Sequence, residues 1–276
     1  MEGLNSLESK NIQELSKKLV VKAGSYILNN VNQLNHKNYK TNSDGNKEIV
    51  TQIDLDIHNN IEAEITKNFP NHNILSEEDI ESFNYGFNDS VWIVDPLDGT
   101  SNFSNGLNVF GSSIAYIENY KTIFANIFIP SISSLKGDYI FWSEKTGMLL
   151  NNMEYKNSNQ SNLSFVPGNL YTDYKESKNY LKSKYISKDF RNYGSMSYEG
   201  AMVALGKVRS MLSNNPKIWD VASLIGIFSG QNKSIYLREL GNKKNEWVYM
   251  ESMEKIYKNI EKKSFRIGFD IIFMNE

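Results

Sequence analysis

From Ile12 through Leu15, Leu19, Ala23, Ile27, Val31 and Leu34 the apolar residues recur every three or four positions, the period of a helix that packs one stripe on a core. This predicts a first helix over residues 7–34. The polar stretch from Lys37 to Lys47, which holds Asp44-Gly45, reads as a loop. The stripe resumes at Ile57, Ile61, Ile65 and Phe69 and predicts a second helix that begins near Asp54 and ends at Pro70. Short apolar runs bounded by polar or turn residues then predict strands at Asn73 to Leu75, Val91 to Val94, Val109 to Ile117, Ile123 to Ile129 and Tyr139 to Trp142. The last four follow one another with little helical pattern between them, which favours antiparallel hairpins over crossover units.

After Leu150 the segment from Asn151 to Asn162 is almost wholly polar and rich in asparagine, as expected where one substructure hands over to another. The predicted division is an N-terminal α+β domain at 1–152 and a smaller C-terminal α/β domain at 153–276. The second half alternates. An apolar piece lies at Leu163 to Val166, a helical stretch near Tyr174 to Tyr185, a helix after Gly194, and a strand at Val208 to Leu212. A further helix starts near Trp219 with Val221, Leu224, Ile225 and Phe228 on one face and Gly230 as its stop, and two strands follow at Ser234 to Leu237 and Phe265 to Phe273.

Composition removes several classes of function. With 276 residues, 40% hydrophobic and 22% charged, the chain can bury a core. Thirty basic against 32 acidic residues, net −2, give neither a basic field for a nucleic-acid polymer nor a polybasic membrane signal. The absence of cysteine excludes disulfides, thiolate metal sites and cysteine nucleophiles. The N-terminal stretch carries Glu2 and Glu8 without the basic-then-apolar order of a signal peptide, and no apolar run reaches about 18 residues. A cytoplasmic protein is expected. His36, His58 and His72 are scattered and read as surface or helix residues rather than ligands.

The departure from this ordinary background is Val91-Trp92-Ile93-Val94-Asp95-Pro96-Leu97-Asp98-Gly99-Thr100. An apolar strand delivers two carboxylates at its end, and a rigid element of this kind is suited to hold a site. Pro96 fixes φ and removes a donor, so the chain is predicted to turn there while the Leu97 carbonyl stays available as an oxygen ligand. Two carboxylates and a carbonyl describe a hard-cation site. Gly99 and Thr100 suit the start of a helical turn whose free N–H groups bind phosphate. Taken alone, the segment reads equally as an Asp-Pro turn followed by a helix cap. Two other acidic points strengthen the first reading: Glu77-Glu78 after the strand ending at Leu75, and Asp220 at the start of the last helix.

These residues resemble the Mg-dependent, lithium-sensitive phosphatases typified by inositol monophosphatase, which include fructose bisphosphatase and 3'-phosphonucleotide phosphatases. The resemblance rests on Asp95-Pro96-Leu97-Asp98-Gly99-Thr100, Glu77-Glu78 and Trp219-Asp220-Val221-Ala222, in the family's order. It implies the layered α+β sugar-phosphatase-type fold, with an N-terminal helix pair on an antiparallel sheet and then the smaller α/β domain. It further implies that Glu77, Asp95 and the Leu97 carbonyl bind one Mg, that Asp95, Asp98 and Asp220 bind a second, and that Glu77 holds a third, weaker one. Asp54 and Thr100 would orient and deprotonate the attacking water, with Glu77 also in the catalytic set and Gly99 and Thr100 binding phosphate. Gly194 and Ser195, in Gly194-Ser195-Met196, and Lys217 would contact the substrate, with Arg191 as a further cation nearby.

The implied activity is hydrolysis of a small phosphorylated metabolite, similar to inositol monophosphate, without a covalent intermediate. A 3'(2'),5'-bisphosphate nucleotidase, a fructose-1,6-bisphosphatase and a catalytically silent metabolite-binding protein are the alternatives. A homodimer is common among relatives, and no interface is marked in the sequence. The chain departs from many inositol phosphatases at Ser213-Asn214-Asn215-Pro216-Lys217, where a sugar-binding Glu is absent. Haloacid-dehalogenase-type phosphatases also carry an Asp-rich motif after a strand, but with carboxylates two apart and the first as nucleophile. The spacing of three here demands a different geometry.

Overall fold

The computed structural model describes residues 6–31, 37–41, 47–83, 86–131, 136–155, 161–168, 185–230, 233–240 and 246–275. Helices α1 (Ser6–Asn30) and α2 (Gln52–Asn68) bury the stripes expected of them, Ile12, Leu15, Leu19, Ala23 and Ile27 on the first and Ile57, Ile61 and Ile65 on the second. Asn29 and Asn30, poor helix formers, close α1 before the predicted end at Leu34, which lies outside the described residues. The predicted loop from Lys37 to Lys47 is corrected. Strands β1 (Lys37–Thr41) and β2 (Lys47–Thr51) pair antiparallel, with Lys37 opposite Thr51.

A seven-stranded sheet follows in the order β3 (Asn73–Ser76), β4 (Val91–Asp98), β5 (Gly111–Glu118), β6 (Lys121–Ile129), β7 (Asp138–Ser143), β8 (Gly147–Leu150) and β9 (Met153–Glu154). All neighbours are antiparallel except β3 and β4, which run parallel with Ser76 beside Val94. Its central strands are apolar on both faces for a definite reason. Trp92, Val94, Ile114, Tyr116, Phe124 and Phe128 pack with α1 and α2, whereas Val91, Ile93, Ala115, Ile117, Ala125 and Ile127 face the opposite layer. Side chains alternate along a strand, so a doubly covered strand shows a continuous apolar run.

That opposite layer contains α4 (Met196–Ala204) and α5 (Ile218–Phe228), both heavily buried. Beyond them lies a mixed six-stranded sheet in the order β11 (Asp189–Arg191), β10 (Leu163–Phe165), β12 (Ser210–Ser213), β15 (Phe269–Asn275), β13 (Lys233–Glu239) and β14 (Val248–Tyr249). A short helix α6 (Glu254–Asn259) precedes β15. The layers are therefore helix pair, sheet, helix pair, sheet. One apolar cluster joins the two sheets through α4 and α5, from Val91 and Ile93 to Phe165, Met211 and Ile271. The predicted helix near Tyr174 falls outside the described residues, while Tyr185 at its end is a turn residue. The strand expected from Phe265 begins only at Phe269, since Phe265 adopts a positive φ of 56° that a strand does not admit. Among the described residues no helix is long and apolar enough to cross a membrane.

Candidate active site

Strand β4 carries the site further than its apolar run suggested. It continues to Asp98 instead of turning at Pro96, and its pairing with β5 shifts between Asp95, opposite Ser113, and Asp98, opposite Gly111. Pro96 cannot donate to the ladder, so the ladder skips at this point and the strand bulges. Gly99 then adopts φ 81°, and a side chain there would meet the Val109 carbonyl at 2.9 Å and Ser195 Cβ at 3.0 Å. Only glycine fits this close approach. A five-residue helix, α3 (Thr100–Ser104), follows and puts the Thr100 hydroxyl on the Leu97 carbonyl at 2.8 Å and on Asp54 Oδ1 at 2.9 Å. A carbonyl oxygen has two lone pairs, so Leu97 keeps one for another partner.

Asp95 is 1% exposed, and its Oδ1 is buried without a hydrogen-bond partner among the described residues. Burial pushes its carboxyl well above the usual carboxylate range, and the neighbouring charges of Glu77, Asp98, Asp220 and Glu78 push the same way. The parallel register of β3 explains how Glu77 arrives there, since its amide donates to the Val94 carbonyl one residue before Asp95. Asp220, at the start of α5, is likewise raised well above the ordinary value by burial, then by Glu77 and Asp98. Four acids from three chain segments thus act on one another electrostatically.

Each of the outer carboxylates is held by its own donors. Ser195 Oγ donates to Asp98 Oδ2 at 2.6 Å, and the Ser197 amide donates to the same oxygen. Burial still raises the Asp98 carboxyl against these bonds. Asp220 and Asp54 share a local device: each is the third residue of its helix, with Oδ2 accepting the backbone N–H three residues earlier, from Lys217 at 3.0 Å and from Thr51 at 2.8 Å. This is one half of a capping box. The Thr51 hydroxyl also donates to Asp54 Oδ2. Asp54 is 1% exposed rather than the surface first-turn acid its position suggests, and burial raises its carboxyl against the Thr51 and Thr100 bonds.

The residues expected to contact substrate have other partners within the fold. The Ser195 hydroxyl, expected to meet substrate, is instead bonded to Asp98, and Ser195 is buried as the N-cap of α4, where it accepts from the Tyr198 amide. Gly194, beside it, turns the chain with φ 74°. Lys217 is 8% exposed, with Nζ 5.2 Å from the centre of the Trp219 ring. Arg191 is paired at 2.6 Å with Asp189 on the exposed edge strand β11.

A group the sequence did not single out lies next to the Glu77 turn. His58, Glu62 and Asp79 bring ligand atoms within 4.8 Å of one another. His58 is buried, its Nδ1 bonded to Ser76 Oγ at 3.0 Å.

Residues 8–232 match the inositol monophosphatase family. The chain belongs to the inositol monophosphatase family. Among its relatives, the fructose-1,6-bisphosphatase/inositol-1-monophosphatase of Thermotoga maritima is 31% identical over 212 residues, 76% of this chain and 78% of that protein. The Nus factor SuhB of Xylella fastidiosa is 28% identical over 73% of this chain and 72% of its own length. Among solved structures, SaIMPase-II, the Staphylococcus aureus inositol monophosphatase II, matches with 2'AMP bound at TM-score 0.72 and 21% identity, covering 96% of this chain and 89% of that one. With inositol monophosphate bound it matches at TM-score 0.68 and 20% identity, over the same 96% and 89%. These structural matches carry the fold.

The donor set of this family member fits a hard divalent cation. It consists only of oxygens, and the buried, unbonded Oδ1 of Asp95 among like charges is the kind of atom such a cation satisfies. A consequence for stability follows. Glu199, inside α4, is pushed up to about 7 by burial, against the bonds from the Tyr193 and Gly194 amides. Its folded value lies above its ordinary 4.5, so the folded chain binds more protons than the unfolded one between those limits, and stability falls as pH rises. The cost grows from nothing below pH 4.5 to about 3 kcal/mol above pH 7. Asp95, Asp98 and Asp220 shift in the same direction. In chelator, the melting temperature is therefore expected to fall from pH 5 to pH 7.5, and Mg2+ is expected to restore much of the loss at the upper end. Calorimetric melts across that range check both; a flat or rising profile in chelator contradicts the assignment.

Proposed function

We propose that the chain is a Mg2+-dependent phosphomonoesterase acting on a small phosphorylated metabolite similar to inositol monophosphate. The observation that carries this reading is the Thr100 hydroxyl, bonded to both Asp54 Oδ1 and the Leu97 carbonyl, at the end of the strand whose Asp95 buries an Oδ1 with no hydrogen-bond partner among the described residues. Glu77, Asp95 and the Leu97 carbonyl would hold one Mg2+, Asp95, Asp98 and Asp220 a second, and Glu77 a third and weaker one. The N-terminal unit (1–152) supplies all of these except Asp220, which comes from the C-terminal unit (153–276). When bound, the cations lower the pKa of an attacking water and neutralise charge developing on the phosphoryl group.

The remaining work belongs to side chains and amides of the chain itself. Thr100 passes its hydroxyl proton to Asp54 Oδ1 as its oxygen takes one from the water, so the pair acts as a two-step base. Burial raises the Asp54 carboxyl and thereby makes it a better acceptor. The amides of Gly99 and Thr100 face the phosphate oxygens, while Gly194 and Lys217 border the rest of the substrate. Asp98 Oδ2 is held by Ser195 and Ser197, which fixes the orientation of its carboxylate, and no aspartyl-phosphate intermediate forms. We place the enzyme in the cytoplasm.

Release of inorganic phosphate from inositol monophosphate, 2'AMP, fructose bisphosphate and 3'-phosphoadenosine phosphate tests the proposal. Turnover of at least one ester is expected to require Mg2+ and to be inhibited by lithium. Absence of release from every ester in Mg2+ would leave a metabolite-binding protein as the reading.

A further inference from the structure

The segment from Tyr193 to Ser195 is gripped from two sides. Its amides point into α4: the N–H groups of Tyr193 and Gly194 both donate to Glu199 Oε1, the latter at 3.1 Å. The Tyr193 and Gly194 carbonyls are met from another element: Asn102 of α3 donates to Tyr193 O at 2.6 Å and to Gly194 O at 3.4 Å, and also to Val109 O at 2.8 Å. Asn102 sits two residues past Thr100, so the same short helix that presents the Thr100 hydroxyl also fixes this loop.

Glu199 is the unexpected half of the grip. It is 4% exposed, no cation bonds it among the described residues, and the Asp98 charge works against it. A buried carboxylate near another acid is costly unless its hydrogen bonds are needed. Here one oxygen satisfies two amides of a segment whose next residue, Ser195, donates to Asp98 and whose Ser197 amide does the same. Moving the loop would release both donors from Asp98.

We infer that Glu199 is a positioning residue, which sets the loop from Tyr193 to Ser195 and, through Ser195 and Ser197, the orientation of the Asp98 carboxylate. The inference rests on the phosphatase reading for its kinetic consequence but not for its structural one. Because a single oxygen accepts both amides, Glu199→Gln keeps the acceptor and loses only the charge, whereas Glu199→Met removes the acceptor at similar volume.

The experiment compares wild type, E199Q and E199M by amide hydrogen exchange at Tyr193 and Gly194 in metal-free protein, and by kcat and KM for phosphate release. A hydrogen bond to a charged or buried acceptor governs roughly a tenfold change or more. E199M is accordingly expected to speed exchange at these two amides about tenfold and to lower kcat/KM about tenfold, chiefly in kcat. E199Q is expected to stay within about threefold of wild type in both. Unchanged exchange in E199M, unchanged kcat/KM in E199M, or an E199Q as impaired as E199M each overturns the inference. If E199M does not fold, E199D, one methylene too short for both amides, takes its place with the same expectation. If wild type releases no phosphate from any ester, the proposed function fails, and the exchange comparison still decides whether Glu199 sets the loop.

Discussion

Asp95→Asn is expected to reduce phosphate release by about a thousandfold or more, roughly 4 kcal/mol of transition-state stabilisation, while making the metal-free protein more stable at neutral pH. The two effects share one cause. Asp95 is buried, its Oδ1 has no hydrogen-bond donor among the described residues, and burial together with Glu77, Asp98 and Asp220 raises its carboxyl well above the ordinary value. An amide of the same shape removes that charge and offers N–H groups to the surrounding carboxylates. Replacing an unfavourable buried charge in this way stabilises by about 1–3 kcal/mol, a rise of several degrees in melting temperature for a chain of this size. The same substitution removes the ligand proposed to bridge two cations, so the stabilisation that Mg2+ gives wild type through binding to the folded state should largely disappear. Phosphate release and melting curves with and without Mg2+ test this together. A variant that keeps more than a tenth of the activity, or melts below wild type in chelator, refutes the role given to Asp95.

Much of this site was readable because its residues sit where a strong periodic signal ends. Asp95 and Asp98 close an apolar strand, Asp220 opens an apolar helix, and Glu77 follows a short strand. Each boundary is local, and so is visible in the chain. The β1–β2 hairpin was missed because its strands are too polar to show alternation, although Asp44-Gly45 between them is a hairpin signal in its own right. The continuation of β4 through Pro96 was missed because proline reads as a stop, whereas the structure absorbs it as a bulge.

The bonds that hold the Asp98 carboxylate were hidden for a different reason, although Ser195 itself reads from the sequence as a substrate contact. Ser195 and Ser197 meet Asp98 across nearly a hundred positions, and Glu199 looks like any acid in the first turn of a helix. Only the fold turns its carboxylate onto the Tyr193 and Gly194 amides. Thr51 is the exception. Thr51-Gln52-Ile53-Asp54 has the spacing of a capping box and could have marked Asp54 as a held, inward-facing acid rather than an exposed one.

That held geometry gives the second large effect. Asp54→Asn is expected to lower kcat about a hundredfold with little change in KM, the size expected for loss of a positioned base. Wild-type Asp54 accepts with both oxygens, from Thr51 on one side and from the Thr100 hydroxyl at 2.9 Å on the other. An asparagine can keep its oxygen toward Thr51 only by presenting its NH2 to Thr100. The Thr100 hydroxyl then becomes an acceptor toward residue 54 and donates solely to the Leu97 carbonyl, so its proton has no carboxylate to go to. The helix cap survives, which is why folding should be nearly unaffected while proton transfer fails. Thr100→Val breaks the same path from the other end and should cost about as much. Because the two groups act as a unit, the double variant D54N/T100V should be scarcely slower than either single variant, far short of the product of the two losses. Multiplicative losses would mean that Asp54 and Thr100 act separately, and a single variant that raises KM with kcat intact would move the residue from the proton path to substrate binding.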